Sequence, residues 1–263
     1  MVILITGITS GFGKAMALRL SGEGHKVYGT YRNGDDRIDG VTYLYADVRD
    51  EDSVCKAVNA VKDAEGRIDV FINNAGMGVG GPLELTSVSD AQLQMDVNFM
   101  GMVRFLHYIL PVMREQRHGR IICFSSIGGL MGLPFQGLYS ASKYAIEGYC
   151  EALRLEVKTF DIDVVVINPG DFATSFTAKR RKIPPETGQL YPQYEAAMAS
   201  IEHDENSGLT PDFLAQRISR IVVRRKVAHR YIISTLEQRL SIVLKTILPG
   251  RVFDWILSSY YRM

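Results

Sequence analysis

Thr6-Gly7-Ile8-Thr9-Ser10-Gly11-Phe12-Gly13 follows a short apolar run, Val2 to Thr6. It precedes Gly13 to Gly22, whose apolar Ala15, Met16, Leu18 and Leu20 fit one face of a helix. Glycines at such a junction permit a tight turn and let the backbone approach a pyrophosphate closely. The helix that follows offers free N–H groups and the positive end of its dipole. A glycine-rich turn also fits an ordinary strand-to-helix loop; its position after the N-terminal strand favours a dinucleotide-binding turn.

Outward from that turn the chain alternates short apolar runs with amphipathic stretches. Strands are expected at His25 to Tyr31, Tyr43 to Ala46, Asp69 to Ile72, Arg120 to Phe124, Asp163 to Ile167 and Tyr231 to Ile233. Helices are expected at Ser53 to Glu65, around Gln92 to Arg117, and at Tyr139 to Phe160. Strands that are apolar along their whole length suit a parallel sheet covered on both faces, with the helices as crossovers. The expectation is an α/β, doubly wound Rossmann sheet in a single domain over residues 1–263, with a C-terminal lid and extension.

The composition agrees and excludes little else. The 263 residues are 46% hydrophobic and carry 30 basic against 29 acidic side chains, so neither disorder nor a nucleic-acid partner is suggested. Cys55, Cys123 and Cys150 lack disulfide-framework or metal-ligand spacing and read as thiols of a reducing, cytoplasmic compartment. The run Val2 to Ile5 is too short for a secretory signal. Ser241 to Tyr261 is lipophilic, but Lys245, Pro249, Arg251 and Asp254 interrupt it as a spanning helix.

The second strand ends Tyr28-Gly29-Thr30-Tyr31-Arg32-Asn33, with no carboxylate where an NAD site favours one to hold the ribose 2′-hydroxyl. Arg32 suits a 2′-phosphate instead, which favours NADP(H) over NAD(H); Asp35 and Asp36 argue the other way. Further along, Tyr139 and Lys143 lie four residues apart on one helical face. An ammonium beside a phenol favours the phenolate and makes the pair usable for acid or base work. Ser126, thirteen residues upstream, ends a strand where its hydroxyl can meet a substrate oxygen.

On these residues the chain resembles the classical short-chain dehydrogenase/reductase family from Val2 to about Thr174. The glycine loop has the family's Thr-Gly-x3-Gly-x-Gly spacing, and Asn73-Asn74-Ala75-Gly76 is similar to its motif after the fourth strand. Asn98, Ser126, Tyr139 and Lys143 match its catalytic tetrad, while Asp47-Val48 and Pro169-Gly170 with Thr174 match its adenine-side and nicotinamide-side segments. The resemblance implies Tyr139 as proton donor, Ser126 as the group polarising the carbonyl, and Lys143 as the residue lowering the tyrosine pKa and holding the ribose. It implies Asn98 as the organiser of a water near Lys143, and hydride transfer that needs no metal. It also implies a homodimer or homotetramer.

For the substrate, Gly128 to Phe135 with Met77 and Phe172 offers an apolar wall, within which Met131 and Phe135 are expected contacts. Residues 171–208, with Pro184-Pro185 and several aromatics, suit a mobile lid; about 1–175 are assigned to cofactor and chemistry, and 236–263 to an apolar extension. Lys179-Arg180-Arg181-Lys182 reads as a solvated loop face. The extension reads either as a helix packed on the core or another subunit, or as a gate or peripheral membrane anchor. The second strand and the extension are similar to the steroid and retinol dehydrogenase branch and to reductases of long-chain keto-lipids such as 3-ketosphinganine. The implied activity is NADP(H)-linked reduction of a bulky lipophilic ketone, or oxidation of the alcohol. The competing readings are a non-catalytic NADPH-binding regulator, a reductase of 3-oxoacyl or small carbonyl compounds, and a membrane-anchored scaffold.

Overall fold

Apolar strands of four to eight residues build the centre of the molecule, and helices cover both of its faces. The computed structural model describes residues 1–34, 37–183, 190–261 and 263. Asp35, Asp36 and the Pro184-Pro185 pair lie outside the described residues. In chain order the elements begin β1 (Val2–Ile5), α1 (Gly11–Gly22), β2 (Lys26–Tyr31), β3 (Val41–Tyr45), α2 (Glu51–Glu65), β4 (Val70–Asn73), β5 (Val79–Gly80) and α3 (Val88–Met95). A π-helical turn, Asp96–Met100, leads into α4 (Gly101–Gln116), β6 (Gly119–Phe124), α5 (Gly137–Glu156) and β7 (Ile162–Pro169). The remainder is α6 (Ser175–Ala178), β8 (Arg181–Lys182), α7 (Tyr194–Asn206), α8 (Pro211–Val223), β9 (Arg230–Ile233), α9 (Leu236–Ile247) and α10 (Gly250–Tyr260).

Among the described residues the main sheet has seven strands in the order β3-β2-β1-β4-β6-β7-β9, all parallel. This is the doubly wound Rossmann-like arrangement expected from the sequence, and the order in which strands are added reverses between β1 and β4. Because strand side chains alternate between faces, one continuous apolar run feeds two cores. Leu4, Phe71, Ile121, Cys123 and Val164 join α2, α4 and α5 on one side. Ile3, Ile5, Ile72, Ile122 and Val165 join α1 and α8 on the other.

Local chemistry sets the helix ends. Asp50 caps α2 by accepting from the Asp52 N–H, and Gly66 closes it at φ +68°. Thr235 and Gln238 form a capping box at the start of α9. The helical region expected around Gln92 to Arg117 is continuous through the π turn, whereas Ser241 to Tyr261 divides at Leu248-Pro249, since proline lacks the N–H to continue α9. Helix α8 has no counterpart among the expected elements; it packs on α1.

Candidate active site

The dinucleotide end is built from β1, α1 and the segment after β4. Thr6 is fully buried, and its Oγ1 accepts the N–H groups of Asn74 and Ala75, both at 2.9 Å. Asn74 Nδ2 donates in return to the carbonyls of Thr6 at 2.9 Å and Gly7 at 3.1 Å. Gly7 sits at φ +71°, a conformation other residues rarely adopt. A Cβ on Gly13 would lie 2.0 Å from the Gly7 oxygen, so α1 begins hard against the turn. Ser10, its N-cap, makes no side-chain cap bond, which leaves first-turn N–H groups available to an anion.

A cavity of about 1700 Å³ opens from this loop. Its wall includes Gly7, Thr9, Ser10, Gly11 and Phe12 at one end, and Asn74, Ala75, Gly76, Pro169, Gly170 and Thr174 further in. Of the residues expected at the cofactor, Thr6 and Gly13 are not on the wall; they lock the loop from behind. At the adenine-side end Arg32, Asp47 and Val48 line the cavity together with Arg49, which the sequence reading missed. Arg49 holds Asp47 at 3.0 and 2.6 Å and keeps its carboxyl below the usual aspartate range, while Arg32 stands 3.9 Å away with an exposed side chain. Lys179 reaches across to donate to Ser10 Oγ at 3.0 Å. A nicotinamide dinucleotide fits this set: a glycine cradle, uncommitted helix N–H groups and basic side chains along one cavity.

Tyr139 and Lys143 of α5 meet Ser126 at the end of β6. The Ser126 hydroxyl hydrogen-bonds the Tyr139 phenol and accepts the Gly128 N–H at 3.0 Å. Lys143 Nζ lies 5.6 Å from the Tyr139 ring centre and donates to the Phe124 carbonyl at 2.8 Å. Burial pushes the Tyr139 phenol up to about 12, against a smaller lowering by the Ser126 hydrogen bond. The same burial brings Lys143 down to about 8. The lowered tyrosine expected from its lysine neighbour is therefore not the net effect in this state, because desolvation, with the nearby Glu205 and Asp171 carboxylates, outweighs the Ser126 hydrogen bond and the Arg180 charge.

Asn98 lies in the π turn, off the cavity wall. Its side chain accepts the Met77 N–H at 2.8 Å and donates to the Met77 carbonyl and Ser142 Oγ, both at 3.0 Å. Gly76 lies beside both groups, its would-be Cβ 3.4 Å from Asn98 Oδ1 and 3.8 Å from Lys143 Nζ, ordinary contact distances. Two further residues were missed in the sequence. Asn168 Nδ2 donates to the Ser126 carbonyl at 2.9 Å and to Glu147 at 2.6 Å, and Glu147 accepts from Arg230 at 2.7 Å. This buried chain fixes the backbone beneath Ser126. No spacing in the sequence marks it, because its members come from α5, β7 and β9. Ser125 Oγ donates to the Lys143 carbonyl, consistent with a structural part.

Beyond Tyr139 the cavity continues between the segment after β7 and the two C-terminal helices. Met77, Met131 and Phe172 lie on its wall, with Leu133, Phe253, Ile256 and Leu257. Phe135 does not. Its ring packs behind the wall against Tyr191 and Tyr194 and anchors α7, so the expected substrate contact is corrected to a packing one. The basic run is corrected at Arg180, while Lys179, Arg181 and Lys182 are exposed as a solvated loop face should be. Arg180 is buried and paired with Glu205, Arg181 pairs with Asp90 at 3.0 Å, and Lys182 pairs with Glu202. Three carboxylates drawn from α3 and α7 were invisible as neighbours in the sequence.

Asp171 faces Glu205 and Asp204 in this cleft and is held by Gln238 of α9. Burial, with those two negative neighbours, pushes its carboxyl up to about 7 against the pull of Arg180 and Gln238. The folded protein then binds a proton that the unfolded chain has already released. Stability falls as pH rises from about 4 to about 7. Asp171→Asn is expected to flatten that part of the profile in urea melts taken at about pH 5 and about pH 8. A profile as steep as the wild type's would contradict it.

Residues 1–184 match a family model described as short chain dehydrogenase. The chain is 45% identical over 265 residues to a 3-ketodihydrosphingosine reductase of Bacteroides thetaiotaomicron, with 100% of this chain and 98% of that protein covered. It is 40% identical over 194 residues to estradiol 17-beta-dehydrogenase 1 of Rattus norvegicus, covering 68% of this chain and 56% of the rat enzyme. A solved short-chain dehydrogenase from Streptomyces avermitilis superimposes with a TM-score of 0.80 at 26% identity, covering 99% of this chain and 96% of that one. With the family model spanning more than half of the sequence and the full-length likeness beside it, the chain belongs to the short-chain dehydrogenase/reductase family of oxidoreductases.

Proposed function

We propose that the chain is an NADPH-dependent reductase of a long-chain ketone of the 3-ketodihydrosphingosine type. One observation carries the reading: the cavity that begins at the glycine loop continues past Tyr139 to an apolar wall of Phe253, Ile256 and Leu257 from α10. Length and apolar lining suit an extended chain attached to a reacting carbonyl. The likeness to the Bacteroides reductase includes these C-terminal helices, whereas the likeness to the rat steroid enzyme covers 68% of the chain. In this reading the described residues of 1–175 hold cofactor and chemistry, 171–183 and 190–208 close over the substrate, and 236–261 wall its tail.

A nicotinamide cofactor bound along the cavity supplies the hydride for the carbonyl carbon. Tyr139 gives its phenolic proton to the carbonyl oxygen as charge develops there. Ser126 donates a hydrogen bond to the same oxygen and holds it within reach of Tyr139. Lys143 carries the positive charge that favours the tyrosinate left behind, and Asn98 braces the Met77 backbone beside it. Assays of the purified protein with NADPH on 3-ketodihydrosphingosine, steroid ketones and short polar ketones test the reading. Turnover confined to the short polar ketones would sink it.

Arg32 is proposed as the 2′-phosphate partner, supported by its exposed guanidinium on the cavity wall and by Arg49 beside it. Arg32→Asp is expected to weaken NADPH by tenfold or more, on the order of one charge-assisted contact, and to leave NADH within about threefold. Equal changes for both dinucleotides, measured by fluorescence titration, would contradict the assignment.

A further inference from the structure

Helices α9 and α10 each carry two faces, and the mechanism uses one. The inner face of α9 brings Gln238 and Ser241 to the cavity, and that of α10 brings Phe253, Ile256 and Leu257. Phe253, with Ile242, Leu244 and Leu248 half-buried around it, packs on Ile127 and Met131. The outer face of α9 presents Leu236, Leu240, Val243 and Ile247, exposed by 82%, 57%, 52% and 68%. Their spacing of four, three and four residues places them in one stripe. On α10 Val252 is also exposed, and Trp255 is 70% exposed. Leaving so much contiguous apolar surface in water is unfavourable and marks an interaction surface.

Charge says what covers it. Residues 224–263 hold eight Lys or Arg (Arg224, Arg225, Lys226, Arg230, Arg239, Lys245, Arg251 and Arg262) against Glu237 and Asp254. That is 8 − 2 = +6 in a chain whose total is +1, so the rest of the molecule is net acidic. Arg239 lines a shallow depression with Ile242 and Val243, which puts a cation at the border of the stripe; Arg230 shares the depression, its charge met by Glu147. An exposed apolar stripe with a tryptophan and a basic border is the pattern of helices that lie in a lipid interface. No helix among the described residues is long and apolar enough to cross a membrane.

We propose that the outer face of α9 and α10 docks on an anionic lipid surface, with the cleft they wall opening beside that surface. The inference rests on the long-chain reading only for what is delivered to the cleft; the surface stands on exposure and charge. Two helices that line a substrate cavity on one side and meet lipid on the other would let a membrane-dissolved ketone reach Tyr139 without crossing water.

The chain's single tryptophan is Trp255, so its own fluorescence reports the contact. Flotation of the full chain with phosphatidylcholine vesicles, with and without phosphatidylglycerol, tests the proposal. Expected are binding and a blue-shifted emission that depend on phosphatidylglycerol and weaken with salt. The variant Leu240→Ser/Ile247→Ser is expected to lose roughly tenfold or more of the binding while reducing a water-soluble ketone at the wild-type rate. Absence of flotation and of the blue shift would overturn the proposal. So would a wild-type dimer that the variant converts to monomer without any vesicle binding, since a second copy would then occupy the face. Vesicle binding without reduction of any long-chain ketone supports the docking surface and removes the substrate reading. Reduction of long-chain ketones without vesicle binding does the reverse.

Discussion

Tyr139→Phe is expected to lower reductase turnover by about 10³-fold, within the range a positioned general acid contributes. The ring stays where it is, because its contact with Phe176 at 5.7 Å between centroids does not involve the hydroxyl. Ser126 keeps the Gly128 N–H as a hydrogen-bond donor, so the variant leaves no strongly buried orphan. NADPH affinity is therefore expected within about threefold of wild type, since the cavity's glycine loop, Arg32 and Lys143 are unchanged. Turnover and fluorescence titration together make the test. A loss of less than about tenfold would remove Tyr139 as the proton donor. Wild-type protein that binds NADPH yet reduces no ketone would favour a regulatory protein of the same fold.

The second large effect is expected at Gly13, which touches no ligand. A methyl there would sit 2.0 Å from the Gly7 oxygen and 2.7 Å from Asn74 Nδ2. Neither neighbour can yield cheaply, because Asn74 spans the Thr6 and Gly7 carbonyls and Thr6 in turn holds the Asn74 and Ala75 N–H groups. Gly13→Ala is expected to destabilise the fold by about 1–3 kcal/mol as an overpacking change. Displacing the loop is expected to weaken dinucleotide binding tenfold or more, about 1.4 kcal/mol. Gly148→Ala supplies the contrast. Nothing lies within 4 Å of its would-be Cβ on an exposed turn of α5, so alanine there is expected to stabilise by about 0.5–1 kcal/mol. Urea melts of both variants read the two signs; Gly13→Ala at wild-type stability would contradict the packing argument.

Most of the frame was legible from local pattern. The central strands are visible because β1, β4 and the middles of β6 and β7 are apolar on both faces, which only a sheet covered on both sides requires. The Thr6 to Gly13 turn, Ser126, Tyr139 and Lys143 are visible because their geometry is set by short chain separations: a turn between strand and helix, a strand end, and one helical turn. Elements past the core were harder. Helix α8 was missed although Thr210 and Pro211 start it well, and the burial of Arg180 was missed because its partner Glu205 is distant in sequence.

The sequence by itself determined the sheet, the cofactor loop and the reacting side chains, since hydrophobic period, glycine spacing and the i to i+4 relation are local properties. Only the tertiary structure decided which charges meet and which way each apolar face points. Phe135 turned to the back of the cleft and Arg180 into the interior. Asn168 joined Ser126 to Glu147, and the C-terminal run split into two helices with one face on the cleft and one exposed. Burial and electrostatics depend on what lies across space, and a chain read in order carries no record of that until it folds.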